Sequence, residues 1–162
     1  MINGDGGRSH YIGGPRSHYI DNVPSGSVVV IAQKDNSNRA VMGGVISARA
    51  KTLGAAGIVV DGNVRDIEEH NEIDFPVFSR GSSVLCPYTT RIEIEIPIIV
   101  CGRTIVQGDY IVADRDGVVH IPNKYLQQVI EVAPTVNKLE ILVRNSVLGG
   151  STVLEAHKNY KS

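Results

Sequence analysis

The chain has 162 residues, with 16 Lys and Arg against 17 Asp and Glu, so it has the size of one globular domain and lacks the clustered basic surface of a nucleic-acid binder. Its two cysteines form no CxxC pair and no Cys/His cluster, which speaks against structural zinc or disulfides and favours a reduced, cytoplasmic protein. Because no apolar run approaches the ~20 residues that cross a bilayer, and the start lacks the apolar core of a signal peptide, we expect neither a membrane protein nor a secreted one.

The first 22 residues are rich in Gly, Ser and Asn and contain the pentapeptide Arg-Ser-His-Tyr-Ile twice, at 8–12 and 16–20. This duplication is too short for a solenoid, whose repeats need ~20 or more residues. We therefore expect 1–22 to be a poorly ordered segment without a function of its own. The remainder, 23–162, is predicted to be a single domain.

The first predicted turn is Pro24-Ser-Gly26, and from here strands and helices alternate with turns. The run 28–32 after it is β-branched and apolar on both faces, which predicts a buried strand. Ser37 or Asn38 then offers an N-cap for a helix that we expect to end near Leu53.

The next segments repeat the order of strand and helix. Residues 58–61 predict a second buried strand, Gly62-Asn63 a turn, and 65–71 a short charged helix. A third strand is predicted at 76–79, and the polar–apolar alternation of 91–96 indicates a half-exposed strand. This order is typical of an α/β fold.

The last third of the chain changes character. Two β segments, 108–113 and 117–121, flank a turn whose glycine can take a positive φ, so a hairpin is expected. The apolar period of 123–147 predicts a helix that Pro134 kinks or divides, and a short helix is expected at 151–157.

The most informative residues follow two predicted strands. Strand ends in α/β sheets open onto ligand crevices, and the glycines at 43 and 44 would let a carboxylate or phosphate approach backbone N–H groups closely. Arg65 could add a bidentate grip on such an anion. Asp66 would face the same crevice, where a single carboxylate can anchor Mg²⁺ or Mn²⁺.

Simpler interpretations of these residues stay open. An Arg-Asp pair at a helix start is often only a solvated cap favoured by the helix dipole. Asp66, Glu69 and His70 share one helix face, a spacing that suits metal ligation but occurs more often in a surface pair. No activated nucleophile supports covalent catalysis. The other histidines are interpreted as incidental: His10, His18, His120 and His157.

Four segments together resemble the RraA-like family in order and spacing: 43–50, 57–66, 75–81 and 108–119. The resemblance covers about 18–158. It implies a swivelling β/β/α fold that assembles as a homotrimer or a dimer of trimers. It also implies one of two functions. Some members are metal-dependent 4-hydroxy-4-methyl-2-oxoglutarate aldolases that also decarboxylate oxaloacetate, and others are regulators that bind a ribonuclease.

The resemblance also implies roles for single residues. Arg65 would hold the carboxylate of pyruvate, and Asp66 would bind the divalent ion directly. Backbone N–H groups would complete the substrate site: Gly43, Gly44, Val45 and Ile46. The leading hypothesis is therefore a lyase of 2-keto acids that depends on Mg²⁺ or Mn²⁺. The alternative is a non-catalytic ribonuclease regulator.

The chain departs from the aldolase pattern at one position. Aldolases carry an Asp twenty residues before the Arg-Asp pair, whereas here residues 45–64 intervene and the position is Gly44. This glycine and the acid at Glu69 match the regulator pattern. The family also borrows a carboxylate from a neighbouring subunit, for which Glu140 and Glu155 are both candidates. Members usually have an opening helix and strand before the first turn, so we expect this chain to lack them.

Overall fold

The computed structural model describes residues 2–4, 18–33, 37–86, 92–94 and 96–161. Its strands are β1 (Ile2–Gly4), β2 (Val28–Gln33), β3 (Ala40–Met42), β4 (Gly57–Val64), β5 (Val77–Ser82), β6 (Ile92–Ile94), β7 (Ile98–Val100), β8 (Arg103–Ile105), β9 (Tyr110–Asp114) and β10 (Gly117–Ile121). Its α-helices are α1 (Gly44–Thr52), α2 (Ile67–Glu72), α3 (Leu126–Leu148) and α4 (Val153–Lys161), with 3₁₀ turns at Tyr19–Asn22 and Asn123–Tyr125. The predicted α/β fold is confirmed.

Strand β4 organises the main sheet. It pairs in parallel with β2, β3 and β5, while β1 runs parallel to β2 and antiparallel to β6. Met42 at the end of β3 lies opposite Val64 at the end of β4. The residues that follow these two strand ends, Gly43 and Arg65, are therefore neighbours in space although 21 positions separate them in sequence.

The core explains why β4 is apolar on both faces. Ile58 and Val60 pack into one buried cluster, and Val59 belongs to a second cluster with Ile98 and Ile105 of the β7–β8 hairpin. Burying a side chain of this size contributes about 1.5–3 kcal/mol relative to an exposed one. The strand predicted at 58–61 is thus confirmed, with longer bounds.

Helix α1 presents small residues to the fold. Its buried positions are Gly44, Ser47 and Ala50, three residues apart on one face. Small side chains on this face let the helix lie close to its neighbours, as the near-zero exposure of Ser47 and Ala50 shows. The helix packs against α2, the 3₁₀ turn at Tyr19–Asn22 and β4.

The helix predicted from Ser37 or Asn38 was placed too early. Ser37 Oγ instead accepts a hydrogen bond from the Arg39 N–H, which is a local turn, and the chain then forms β3. The Ala40 N–H donates to the Leu85 carbonyl oxygen at 3.0 Å, so it is not available for a helical hydrogen bond. The helix begins only at Gly44.

The turn predicted at Gly62-Asn63 was also wrong. Strand β4 continues to Val64 because β3 and β5 pair with its last residues, and Gly62 lets the Gln33 side chain pack against the backbone. The next helix, α2, starts two residues later than predicted. Of the strand predicted at 91–96, residues 92–94 form β6, and Ile96 lies in a bend.

Two hairpins follow the main sheet. The β9–β10 hairpin confirms the prediction, and Gly117 has a φ of 144°. The β7–β8 hairpin was not predicted, because its strands have only three residues each. Its turn places Cys101 and Gly102 at positive φ.

The chain divides into two compact units, Met1–His120 and Ile121–Ser162. In the second unit α3 packs on α4, and Val143 and Ala156 are buried. Helix α3 passes through Pro134 without interruption, so a division at that residue is wrong. No helix in the described part of the chain is both long and apolar enough to cross a membrane.

The 3₁₀ turn at Tyr19–Asn22 is held by burial and by a local capping box. Tyr19 and Ile20 are buried, and His18 and Asp21 form a capping box around their 3₁₀ turn. Burial raises the pKa of the Tyr19 hydroxyl well above its usual range. The first copy of the duplicated pentapeptide lies outside the described residues.

Candidate functional site

Two strand-to-helix junctions meet in the structure. The Arg65 N–H donates to the Met42 carbonyl oxygen at 3.0 Å, and the Gly44 N–H donates to Asp66 Oδ2 at 3.0 Å. One bond links the strand ends and the other links the helix starts. Gly44 and Asp66, which the sequence predicted to share a site, are therefore in direct contact.

Gly43 is required by this close approach. A Cβ at this position would lie 2.8 Å from both Cγ and Nε of Arg65 and would overlap the Asp66 carboxylate. The residue has φ −150°, which any amino acid can adopt, so the requirement is for space. A side chain here would push Arg65 and Asp66 apart.

Gly44 leaves room for a different acid. A Cβ built on Gly44 would overlap the carboxylate of Glu69, which reaches over the start of α1 from α2. Glu69 therefore occupies the space in which the side chain of residue 44 would begin. The aldolase pattern places its additional acid at this position.

Asp66 has a strained backbone. Its φ of 59° and ψ of 43° are left-handed, which costs a non-glycine residue about 1–3 kcal/mol. Although Asp66 stands at the N-cap position of α2, its side chain makes no capping bond to that helix. Asp66 is therefore not a cap of α2, the helix that it precedes; its carboxylate instead accepts from the first N–H of α1.

Arg65 lies beside this carboxylate. Its Nε is 3.2 Å from Asp66 Oδ2, and its Nη1 is 2.7 Å from Cys86 Sγ. Nη2 has no partner among the described residues. A second guanidinium is near, because Arg39 Nη1 donates to the Cys86 carbonyl oxygen at 2.8 Å.

The backbone N–H groups at the start of α1 are not equivalent. That of Gly44 is taken by Asp66, and that of Ile46 donates to the Gly43 carbonyl oxygen at 3.0 Å. The Val45 N–H has no partner within the described ranges, and its residue is 80% exposed. Of the predicted N–H groups at 44–46, the one at Val45 is thus the one not engaged by another described residue.

The acidic groups at this site suit a hard divalent cation. Asp66 Oδ2 accepts two bonds, whereas Asp66 Oδ1 and the Glu69 carboxylate have no hydrogen-bond partner in the described part of the chain. No group of three or more His, Cys, Asp and Glu side chains is assembled there. Mg²⁺ needs no such group, since it is commonly held by one or two carboxylates and keeps several waters.

His70 differs from its predicted role. Its residue is only 3% exposed, and Nδ1 lies 2.8 Å from Ser47 Oγ on α1. The interpretation of Asp66, Glu69 and His70 as a surface pair is therefore wrong for His70. Helix α2 turns this residue inward, while Glu69 stays exposed.

Other polar contacts lie outside this site. His120 Nε2 is 2.7 Å from Asp109 Oδ2, which also accepts from the Val106 N–H, so His120 helps to close its hairpin. Arg80 contacts Asp61, whose hydrogen bond and charge raise the pKa of the guanidinium.

The structure defines an α/β protein in which Arg65, Asp66 and the glycines at 43 and 44 meet between two strand-to-helix junctions. Residues 14–120 match the family described as RraA-like: Aldolase/RraA. The chain belongs to this family.

One relative, from Halalkalibacterium halodurans, is named "Putative 4-hydroxy-4-methyl-2-oxoglutarate aldolase" and is 42% identical over 109 residues, which are 67% of this chain and 52% of the relative. The chain thus spans about half the length of that relative. An uncharacterized protein from Pseudomonas syringae has a similar structure, with a TM-score of 0.83 and 29% identity over 99% of this chain and 76% of its own. RraAS2 of Streptomyces coelicolor, from the RNase ES inhibitor RraA family, has a TM-score of 0.66 and 28% identity over 77% of this chain and 65% of its own.

Proposed function

We propose that this protein is a divalent-metal-dependent lyase of 2-keto acids, which decarboxylates oxaloacetate, cleaves 4-hydroxy-4-methyl-2-oxoglutarate to pyruvate, or does both. The observation that carries the proposal is the strained Asp66, which accepts both its bonds through one oxygen and leaves the other open beside Arg65. Backbone strain of this kind concentrates at functional sites. The aldolase name of the Halalkalibacterium relative supports the same chemistry.

Arg65 and Val45 would bind the substrate carboxylate. The uncommitted Nη2 of Arg65 and the open Val45 N–H offer donors from two sides, and charge-assisted hydrogen bonds of this kind are stronger than neutral ones. The partner Asp66 fixes the guanidinium through Nε. The keto acid would therefore be held in one orientation.

Asp66 Oδ1 and the Glu69 carboxylate would hold Mg²⁺ or Mn²⁺. When bound, such an ion polarises a substrate carbonyl and stabilises negative charge on its oxygen. The Gly44 N–H and Arg65 Nε both donate to Oδ2 and thereby orient the Asp66 carboxylate. In this proposal carboxylates of this chain bind the cation, while Arg65 and the Val45 N–H bind the substrate carboxylate.

Decarboxylation makes the smaller demand on these residues. It requires that Arg65 and the bound cation hold the keto acid while carbon dioxide departs, and no side chain needs to accept a proton. Aldol cleavage additionally requires a base for the substrate hydroxyl group. Residue 44 is a glycine, so this chain has no acid at the position where the aldolase pattern has one.

A second function is favoured by the same position. Gly44 together with Glu69 matches the pattern of the ribonuclease regulators, and the Streptomyces neighbour is described as a member of an RNase inhibitor family. In this alternative the protein would bind a ribonuclease through its surface without catalysis.

The test is pyruvate formation from oxaloacetate by the pure protein with Mg²⁺ or Mn²⁺, followed with a coupled lactate dehydrogenase. Divalent ions decarboxylate oxaloacetate slowly in solution, so the protein with Asp66→Asn supplies the background rate. We expect a native rate well above this background that EDTA removes, and a large loss with Arg65→Lys, because Lys has no planar fork for a carboxylate. Equal rates for native and Asp66→Asn protein, with binding to a ribonuclease, would establish the regulator.

A further inference from the structure

Beneath the proposed carboxylate site lies a buried polar pair, Ser47 on α1 and His70 on α2. Ser47 is 0% exposed and His70 is 3% exposed. Ser47 Oγ lies 2.8 Å from His70 Nδ1 and 2.8 Å from the carbonyl oxygen of Gly44. The pair thus connects α2 to the peptide that opens α1.

The hydrogen atoms of this pair can be assigned by counting donors. A serine hydroxyl has one proton, and a carbonyl oxygen can only accept. Ser47 therefore donates to Gly44, and His70 Nδ1–H donates to Ser47. This tautomer leaves Nε2 as a bare acceptor, and Nε2 is buried without a hydrogen-bond partner in the described residues. A core tolerates an unpaired polar atom rarely, and such an atom calls for an explanation.

The explanation lies in the peptide that the pair holds. The carbonyl of Gly44 and the N–H of Val45 belong to one planar peptide group, so fixing the direction of one fixes the other. The Val45 N–H is the open donor of the proposed substrate site. A hydrogen bond received by the Gly44 oxygen also polarises this peptide and strengthens its N–H as a donor.

We propose that Ser47 and His70 are positioning residues that orient the Val45 N–H toward the substrate carboxylate. This inference rests on the proposed function, since it gives that function a further pair of residues. Neither side chain touches the substrate. The two hydrogen bonds form a chain from His70 Nδ1–H through the Ser47 hydroxyl to the carbonyl oxygen of the Gly44–Val45 peptide.

The kinetic test compares three variants of the full chain. Ser47→Ala and His70→Leu remove the chain of donors, and we expect each to raise KM for oxaloacetate about tenfold or more with a smaller change in kcat, as loss of ground-state binding does. His70→Asn should restore most of the affinity, because its amide N–H can donate from near the Nδ1 position. Ile58→Val, a buried change in β4, is the control for lost stability alone.

A second readout does not need turnover. In ¹⁵N spectra of the native protein His70 should carry its proton on Nδ1, and added pyruvate should shift the Val45 amide signal in native protein but much less in Ser47→Ala. If native protein is active while Ser47→Ala keeps its KM and its pyruvate shift, the positioning role is overturned and the lyase stands.

The remaining outcomes separate the two proposals. A pyruvate shift at Val45 that Ser47→Ala abolishes, in a protein without decarboxylase activity, supports the positioning role and overturns the lyase. If pyruvate leaves the native Val45 amide unmoved, or if His70 carries its proton on Nε2, the positioning role is overturned. A rise in KM in Ile58→Val as large as that in Ser47→Ala overturns it as well, because general destabilisation would then explain the effect.

Discussion

The Gly44 N–H and the Asp66 carboxylate are joined by a 3.0 Å hydrogen bond between the first residue of α1 and the residue before α2. A charged acceptor at a helix start is favoured by the helix dipole. The dipole in question is that of α1, although Asp66 precedes α2. The start of α1 thus fixes the direction of the carboxylate that follows β4.

The strain at Asp66 can be separated from its chemistry. Asp66→Gly and Asp66→Ala both remove the carboxylate, but only alanine retains a Cβ in the left-handed conformation, so we expect Asp66→Gly to be more stable by about 1–2 kcal/mol. Both should lose metal-dependent decarboxylation. Calorimetric unfolding and the coupled assay measure the two effects. Equal melting temperatures would show that the left-handed backbone relaxes freely, and full activity with Mg²⁺ would remove Asp66 from the site.

The sequence predicted the main buried strands and singled out residues that the structure brings into contact, but it did not predict every segment between them. Buried strands such as β2 and β4 are readable because β-branched residues occupy both faces. The short β3 is not, since it is a strand only because it pairs with the end of β4 and with Leu85. The residue type at Ser37 favoured a helix start, but the hydrogen bond from the Ala40 N–H to the distant Leu85 carbonyl oxygen holds this segment as a strand.

The same reason explains what was missed at the site. Arg65, Asp66 and the glycines at 43 and 44 were singled out because they follow strands, and the structure brings them into contact. The burial of His70 was not, because α2 has six residues and is too short to show an apolar period. Its partner Ser47 lies 23 positions away, and only the packing of α1 against α2 brings the two together.

Gly43→Ala should separate Arg65 from Asp66. The new methyl group would overlap the Asp66 carboxylate and crowd Arg65, and both side chains are partly exposed, so they can move. We expect a loss of at least tenfold in kcat/KM with a stability cost near the lower end of the ~1–3 kcal/mol typical of overpacking. Gly149→Ala is the matched control, because its methyl group would meet only the carbonyl oxygens of Asn145 and Ser146 at 3.4 and 3.3 Å. An unchanged kcat/KM in Gly43→Ala would show that contact between Arg65 and Asp66 is not needed for activity.

Cys86 offers chemical access to Arg65. Its sulfur lies 2.7 Å from Arg65 Nη1, so alkylation with iodoacetamide should place a bulky group against the guanidinium and inactivate the protein. The matched residue is Cys101, the other exposed free cysteine, which lies beside Asp61. Protein with Cys101→Ser should remain sensitive, protein with Cys86→Ser should resist, and pyruvate should slow inactivation. A resistant Cys101→Ser protein would contradict the assignment.

Asp21 gives the stability of the first unit a dependence on pH. The pKa of its carboxyl group is lowered by the hydrogen bond from the His18 N–H and then by Arg49, whose Nε lies 2.8 Å from Oδ1. A lowered pKa stabilises the folded state above the ordinary value of 3.8, and this stabilisation is lost as pH falls through the folded pKa. Asp21→Asn should therefore lower the melting temperature at neutral pH and converge with native protein once the pH falls below the lowered pKa of Asp21. Glu68→Gln, an exposed change, is the control, and a gap that is constant with pH would argue against the ion pair.

Gly44→Asp tests whether the missing acid decides between the two lyase reactions. Aldol cleavage removes a proton from the substrate hydroxyl, and a carboxylate at residue 44 could accept it or orient the water that does. Decarboxylation needs no such transfer. Gly44 is not among the glycines with positive φ, so an aspartate meets no backbone strain there.

The obstacle is Glu69, whose carboxylate fills the space that the new side chain needs. The single variant would place two carboxylates in contact, and their repulsion should displace one of them and gain little aldolase activity. The double variant Gly44→Asp with Glu69→Ala should instead raise the ratio of aldol cleavage to decarboxylation by about 10–100-fold, an ordinary contribution of a general base. Glu69→Ala alone is the control, and melting temperatures show whether each variant folds. A folded double variant that binds Mg²⁺ and keeps the native ratio of the two activities would show that an acid at residue 44 does not select the reaction.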